Sequence, residues 1–387
     1  MNNFSFALEK SGNTRAGLLT TPHAAVETPC FMPVGSQATV KTLTPDELKD
    51  LGYKLILANN YHLYLRPGTD VIAGYGGVHK FMGWDGALLT DSGGYQVFSL
   101  SPLRRMSDEC VTFRSHIDGS EHFFSPELAI EYQEIFGADI IMALDECPPV
   151  QGSREAIESA VARTHAWALR CKAAKTRADQ ALFPIVQGGL HADLRRRSAE
   201  GLIEAGFPGY AIGGLAIGEA KDQTVQITAA TTEVLPIDKP RYLMGVGSPE
   251  DIVRGVAAGI DMFDSALPTR VARNGALFTR SGRIDIANAR YEGDKGPIDD
   301  GCGCYACRNF SAGYVHHLFR AKELLAYRLA TLHNLYFMRR LMTDIRQSIL
   351  TDRYDDFSRS FLSDYKPTDE SVRLSQKRQW LKDRNTT

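Results

Sequence analysis

The chain reads as an α/β protein built as a (β/α)8 TIM barrel, and three observations predict it. Eight short apolar runs follow one another: Cys30–Val34, Leu55–Asn59, Ala87–Asp91, Asp139–Asp145, Leu182–Gln187, Tyr210–Leu215, Tyr242–Gly247 and Ile260–Asp264. They are apolar nearly throughout, as in parallel strands covered on both faces. Helix starts stand between them: Thr44-Pro45-Asp46-Glu47, Ser125-Pro126-Glu127 and Ser248-Pro249-Glu250-Asp251 each offer an N-cap hydroxyl, proline at the first helical position and early acids. Eight strand-then-helix units argue for a sheet closed on itself. An open doubly wound sheet is the alternative that the same pattern allows.

The remaining segments decorate that barrel. Phe4, Phe6 and Leu8 alternate before Gly12-Asn13, then Gly17, Leu18 and Leu19 follow, which predicts an N-terminal β-hairpin. The stretch 111–124 turns at Asp118-Gly119 and reads as a hairpin inserted after the third strand. After Asp264 an Asn274-Gly275 turn precedes a further hairpin, Ala276–Phe278 with Ile284–Ile286. A long helix is predicted from Leu325, Leu329, Leu332, Leu335, Met338, Met342, Ile345 and Ile349, spaced by three and four as a core-facing stripe. The expected division is 1-290 for the barrel with its hairpin, 291-365 for a zinc-binding subdomain with the C-terminal helix, and 366-387 for a polar, frayed tail.

Composition narrows the function classes. The net charge of -2 gives no overall basic signature, so nucleic-acid binding would need a local patch. No run of about 18 apolar residues is present, and the N-terminus has no apolar leader core. Of seven cysteines, three cluster at 302, 304 and 307. An odd count with one tight cluster reads as a cytoplasmic protein with a metal site, not a disulfide framework.

In such a barrel the chemistry collects at the C-terminal strand ends. Those ends carry Asn59, Asp91, Asp145, Gln187, the Gly213-Gly214-Leu215 turn, Met244-Gly245 and Asp264. Any one acid could cap the next helix, but three acids at one mouth would repel and be desolvated. That raises at least one pKa and suits a division between acid and nucleophile. The glycine-rich turns 91–96 and 213–218 bring backbone close to a ligand. Phosphate cradling is the rival use, but no Gly-Lys-Ser/Thr ending is present and the acids would receive a phosphate poorly. A flat, hydrogen-bonding, uncharged or cationic ligand fits better, with carboxylate and amide for its edge and Tyr95 and Met244 for its faces. Beyond Asp264 a loop carries Pro268, Arg270 and Arg273, suited to a phosphate or a base. Cys302, Cys304 and Cys307 are three thiolates in six residues, a strong zinc signal. Spacing leaves the fourth ligand open among His316, His317 and His333. Three thiolates and an imidazole leave no open position, so the metal reads as structural.

The motifs LTDSGGYQVFSL (89–100), ALDECPP (143–149), IVQGG (185–189), GYAIGGLAIGE (209–219), RYLMGVG (241–247), GIDMFDSALPTRVARNG (259–275) and CGCYAC (302–307) closely resemble those of tRNA-guanine transglycosylases. The likeness runs in matching order from Pro29 to Ile349. It implies a barrel with a zinc subdomain, and exchange of the anticodon wobble guanine for a 7-deazaguanine without strand scission. By the resemblance, Asp264 is the nucleophile on the ribose C1′ and Asp91 the general acid/base. Asp145, Gln187, Gly214 and Leu215 read the base edge, and Tyr95 and Met244 sandwich its faces. Arg270 and Arg273 hold the uridines flanking the wobble base. The zinc ligands become Cys302, Cys304, Cys307 and His333, and a homodimer is implied. Arg280, Arg283, Arg339 and Arg340 could add local basic surface.

Cys147 and Ile217 match the bacterial pattern beside the pocket. Bulk at Ile217 predicts exclusion of queuine and admission of 7-aminomethyl-7-deazaguanine. The departures are Ile217 where valine is usual, Ser265 where cysteine is common, and Asn60 where threonine is frequent. A queuine-inserting enzyme and a non-catalytic tRNA-binding paralogue are the alternatives within the resemblance, and retention of all three acids argues against the paralogue. A zinc hydrolase would need an open metal site at the strand ends.

Overall fold

All eight predicted strands form, and they close into a parallel barrel. The computed structural model describes residues 4–100, 104–148 and 152–367. Its first strands are β1 (Ser5–Lys10), β2 (Ala16–Thr20) and β3 (Ala25–Thr28), followed by the barrel strands β4 (Cys30–Gly35), β5 (Leu55–Ala58) and β6 (Ala87–Thr90). An insertion supplies β7 (Arg104–Met106), β8 (Val111–Arg114) and β9 (Glu121–Phe124). The barrel resumes with β10 (Ile140–Met142), β11 (Ala181–Phe183), β12 (Ile185–Val186), β13 (Tyr210–Ile212), β14 (Arg241–Leu243) and β15 (Met262–Ser265); the hairpin β16 (Ala276–Thr279) and β17 (Gly282–Asp285) follows.

The barrel order is β11-β10-β6-β5-β4-β15-β14-β13-β12. Its two terminal segments, β11 and β12, belong to one run interrupted by Pro184. Proline has no amide to give a ladder, so the run changes neighbour there. Residues 181–183 pair with β10, while Ile185 and Val186 pair with β13. The nine segments are therefore eight strands around a closed ring.

Alternation sets what faces inward. Met32, Leu55, Leu57, Ala87, Leu89, Ile140, Met142, Phe183, Ile185, Tyr242 and Met262 form one buried interior cluster. Ile56, Leu88, Ile141, Leu182, Val186, Ile212, Leu243 and Phe263 face outward into the helical layer. Continuing the inward period by two places Asn59, Asp91, Gln187, Met244 and Asp264 at the mouth.

The N-terminal segment is a three-stranded antiparallel sheet, one strand more than the predicted hairpin. It floors the barrel: Leu19 and Val26 join the interior cluster, with Phe4 and Phe6 packed against it. Arg15, just before β2, pairs with buried Asp261 at 3.0 Å. His23 Nδ1 lies 2.8 Å from buried Asp139. Of the two, Arg15–Asp261 is buried on both sides, and removing one partner of such a pair costs about 3–5 kcal/mol. The insertion likewise gains a strand, β7 pairing with β8.

Two of the predicted caps act as read. Thr44 makes a full capping box with Glu47, and the Ser125 hydroxyl accepts from the Leu128 amide. Ser248 departs: it stands at the N-cap without a side-chain cap bond and donates to Asp251 instead. The long helix spans Leu324–Leu350 and buries seven of the eight stripe residues, but Leu325 is exposed. It stands in the first turn, beyond the packing surface. The tail expected to fray from Lys366 is pinned at its start. Tyr365 is buried, and Lys366 donates its amide to the Ser281 carbonyl at 3.1 Å. Residues 368–387 lie outside the described residues.

Candidate active site

Asp91 leaves β6 into the Ser92-Gly93-Gly94 turn and is buried. Asn59 caps the helix Asn60–Leu65 through its carbonyl and gives its Nδ2 to Asp91 Oδ2 at 2.5 Å. The Asn60 amide donates to Asp91 Oδ1 at 2.9 Å, and Gln96 Nε2 to Oδ2 at 2.9 Å. Burial dominates over these donors, and the charges of Asp264 and Asp145 add to it, so the carboxyl is pushed up to about 8. Asp91 therefore holds a proton at neutral pH.

Asp264 lies in the last two residues of β15, and its side chain is half-buried at the mouth. The Tyr242 hydroxyl donates to its Oδ1 at 2.6 Å, and the Gly245 amide donates to the same oxygen at 2.8 Å. Oδ2 has no hydrogen bond among the described residues. Burial raises the pKa of Asp264, opposed by the Tyr242 hydroxyl and the Gly245 amide. The outcome is a carboxylate with one oxygen anchored and the other open.

Asp145 and Gln187 form a coupled pair. Ser92 Oγ donates to Asp145 Oδ1 at 2.8 Å, and Gln187 Nε2 to Oδ2 at 2.7 Å. Burial pushes Asp145 up, against these two donors. Gln187 Oε1 remains buried without a partner among the described residues, an acceptor waiting for a donor. Two glycines permit the approach. A Cβ on Gly94 would lie 2.5 Å from the Asp145 carbonyl oxygen, and one on Gly214 would lie 2.4 Å from Gln187 Oε1. Leu215 is buried, while Ile217 and Met244 are half-buried and Tyr95 is exposed. Cys147 is buried, and burial pushes its thiol up, so it is a neutral wall.

Downstream of Asp264 the expected arginine loop is instead a short helix, Leu267–Arg273. Pro268 fits the first turn of a helix as well as a loop, which is why composition misled. Arg270 is exposed; Arg273 is half-buried and donates to the Thr269 carbonyl at 2.8 Å. Burial, then the neighbouring Arg270 charge, lowers the pKa of Arg273. A pair of cations this close favours an anion between them.

The three cysteines meet His333. Its Nδ1 lies 3.9, 3.5 and 3.4 Å from the sulfurs of Cys302, Cys304 and Cys307. Its Nε2 sits 2.7 Å from the Phe278 carbonyl. That carbonyl fixes the proton on Nε2 and leaves the Nδ1 lone pair facing the sulfurs. All four ligand atoms lie within 4.8 Å of one another, so the cluster could hold a metal ion. His316 is elsewhere, directed by Nδ1 to the Ile286 carbonyl.

A family model described as Queuine tRNA-ribosyltransferase matches residues 10–367. A protein of that name from Dehalococcoides mccartyi is 56% identical over 384 residues, covering 98% of each chain. Another from Herpetosiphon aurantiacus is 56% identical over 374 residues, covering 96% of this chain and 95% of its own. One from Pelotomaculum thermopropionicum is 57% identical over 357 residues, covering 92% and 96%. The chain belongs to the queuine tRNA-ribosyltransferase family. It is therefore an enzyme of the pentosyl-transferring class.

Within this family member the mouth gathers Asp91, Asp145, Gln187, Gly214, Leu215 and Asp264, while the cysteine cluster sits apart, before and within the short helix Tyr305–Asn309, and meets the long helix at His333. Several residues in contact with this set escaped the reading of strand ends. Tyr242 lies one inward layer below Met244, and the period of two could have flagged it. Ser92 and Gln96 lie within the quoted 89–100 motif but look like ordinary turn and helix residues. Glu219 accepts from the amides of Ala216, Ile217 and Gly218 and from the Thr224 hydroxyl. These bonds hold Ala216 at a φ of 57°. Arg339, read as a source of local basic surface, lies at the end of the barrel opposite the mouth, donating to the Gly52 carbonyl beside Cys30 and Glu27.

Proposed function

We propose that this enzyme exchanges the wobble guanine of a tRNA anticodon for 7-aminomethyl-7-deazaguanine by double displacement. Asp264 Oδ2 attacks the ribose C1′ as the C1′–N9 bond breaks, and Asp91 gives its proton to the departing guanine N9. The incoming base then loses its N9 proton to Asp91, and N9 displaces the Asp264 carboxylate from C1′. Two inversions retain the sugar configuration, as in retaining glycosidases. The observation that carries this reading is the pairing of an Asp264 with one free oxygen and an Asp91 that keeps its proton to about pH 8.

In this reading Asp145, Gln187 and the Gly214–Leu215 backbone take the base edge, Tyr95 and Met244 its faces, and Cys147 and Ile217 its far wall. Ile217 bulk favours the aminomethyl base over queuine. Arg270 and Arg273 take the flanking nucleotides. An anticodon loop base is unstacked at less cost than a duplex base. Zinc is the metal proposed for Cys302, Cys304, Cys307 and His333, in a subdomain over 291–365. Zinc–sulfur bonds of about 2.3 Å and a zinc–nitrogen bond of about 2.0 Å in a tetrahedron separate S from N by about 3.5 Å. The observed separations of 3.4–3.9 Å suit it. Its role is structural. A homodimer and a cytoplasmic location accompany the family resemblance.

The test is trapping. The protein is mixed with an anticodon stem-loop and no incoming base, then denatured. Wild type is expected to retain a covalent RNA adduct and Asp264→Asn to retain none; an equal adduct in the variant removes Asp264 from this role. Efficient incorporation of queuine would replace the aminomethyl assignment. A wild type that binds tRNA but forms no adduct would be a non-catalytic paralogue.

A further inference from the structure

Arg195 is a wholly buried guanidinium with no carboxylate in salt-bridge reach among the described residues. It stands near the start of the helix Ala192–Ala205 with 0% exposure. Its hydrogen-bond partners among the described residues are all backbone carbonyls. Nε donates to Gly189 at 3.0 Å, and Nη1 donates to Val186 at 2.9 Å and Gly213 at 2.8 Å. Nη2 is buried without a partner among the described residues. Burial, opposed in part by the charge of Glu219, lowers its pKa to about 10, which still leaves it charged at neutral pH. A buried cation with no direct salt-bridge partner is costly, and an apolar side chain would fill the same volume without that cost.

The three carbonyls explain what the charge does. Val186 immediately precedes Gln187, and Gly213 immediately precedes Gly214. One guanidinium thus ties the ends of β12 and β13 at the residues adjoining the two halves of the base-reading edge. Glycine at 188 lets the helix backbone that carries Arg195 approach: a Cβ there would come within 2.7 Å of the Arg195 amide nitrogen. The far end of the same segment is gripped by the opposite sign, since Glu219 accepts from the amides of residues 216–218. Burial pushes Glu219 up, but the Thr224 hydroxyl and these amides outweigh it and keep the carboxyl below its usual range. The segment 213–218 is stretched between a cation on its first carbonyl and an anion on its later amides.

We infer that Arg195 is a positioning residue for base recognition, fixing the spacing between Gln187 and the Gly214–Leu215 backbone through the carbonyls of Val186, Gly189 and Gly213. The inference rests on the reading of the mouth as a guanine pocket. Arg195 touches no base itself. Lysine keeps the charge but cannot reach three carbonyls from a rigid fork, and glutamine keeps donors without the charge.

The experiment titrates guanine, and separately an anticodon stem-loop abasic at the wobble position, into full-length wild type, Arg195→Lys and Arg195→Gln. Guanine affinity is expected to fall about tenfold or more in both variants, as for a misaligned pair of hydrogen bonds. Stem-loop affinity is expected to stay within about twofold, and the melting transition to persist. Unchanged guanine affinity in Arg195→Lys overturns the inference. So does a loss of both affinities in step with a lowered melting temperature, or failure of both variants to fold, because the role is then merely structural. A wild type that binds no guanine sinks the pocket reading itself, and this inference with it, before any variant is measured.

Discussion

The Tyr242 hydroxyl lies 2.6 Å from Asp264 Oδ1 and shares that oxygen with the Gly245 amide. Both donors act on one oxygen, so they orient the carboxylate and hold its charge while the other oxygen remains free. A hydrogen bond to a charged group is worth about 1.5–3 kcal/mol. Tyr242→Phe is accordingly expected to slow adduct formation roughly 10- to 100-fold without abolishing it. The same donor lowers the Asp264 pKa, so its loss raises that pKa and moves the acidic limb of the rate profile to higher pH. Single-turnover rates across pH check both; an unshifted limb with an unchanged rate would leave Tyr242 as packing only.

Asp91 gives a stability signature that activity assays would miss. Its folded pKa of about 8 stands above the ordinary value of 3.8. Across that window the folded protein keeps a proton that the unfolded chain has released. Stability from this group is therefore fully present below about pH 4 and is lost as pH rises through about 8. Asp91→Asn removes the titration, so its melting temperature relative to wild type should be higher at about pH 9 than at about pH 5. A pH-independent difference between the two proteins would contradict the raised pKa.

Much of this was legible before any coordinates, for definite reasons. A strand buried on both faces must be apolar throughout, so eight such runs marked the barrel. A polar residue two steps beyond an inward one must face the mouth, as Asp91 follows Leu89 and Asp264 follows Met262. What escaped depended on pairing or packing. No local pattern says that Pro184 divides one strand between two neighbours, or that β3 joins β1 and β2 as a floor. Arg195 reads as one basic residue in the helical run Leu194-Arg195-Arg196-Arg197, and only burial separates it from the solvated pair. The Leu267–Arg273 segment reads as a loop because proline opens both loops and helices.

Glycine at position 94 is a requirement of the site, not of the turn. A Cβ there would sit 2.5 Å from the Asp145 carbonyl oxygen and 2.8 Å from Asp145 Oδ1. The backbone oxygen cannot swing aside, so Gly94→Ala displaces Asp145 and breaks its bonds to Ser92 and Gln187. Guanine affinity is expected to fall roughly 100-fold or more, the loss of about two hydrogen bonds. Binding of an abasic stem-loop should change little. Calorimetry with both ligands checks it, and retained guanine affinity would show that the turn can give way.

The cysteine cluster is distant from the mouth in chemistry but tied to it by one helical step. His333 Nε2 is held by the Phe278 carbonyl, and the next residue, Asn334, takes the Phe278 amide on its Oδ1 at 2.9 Å. Asn334 Nδ2 donates in turn to the Pro268 carbonyl at 3.0 Å and the Ala276 carbonyl at 3.0 Å. Pro268 belongs to the helix that carries Arg270 and Arg273. Removing the metal would leave His333 facing three thiols and loosen the turn that anchors this helix. Asp145 and Gln187 hang on the barrel strands and do not share the anchor. Chelation is therefore expected to lower the melting temperature on the order of 10 °C and weaken stem-loop binding roughly tenfold, the loss of a charge-assisted contact. Guanine affinity should stay within about twofold. Metal-free protein that melts and binds the stem-loop as before would refute the structural role; equal loss of both ligands would mean that the metal supports the whole barrel, not the arginine helix.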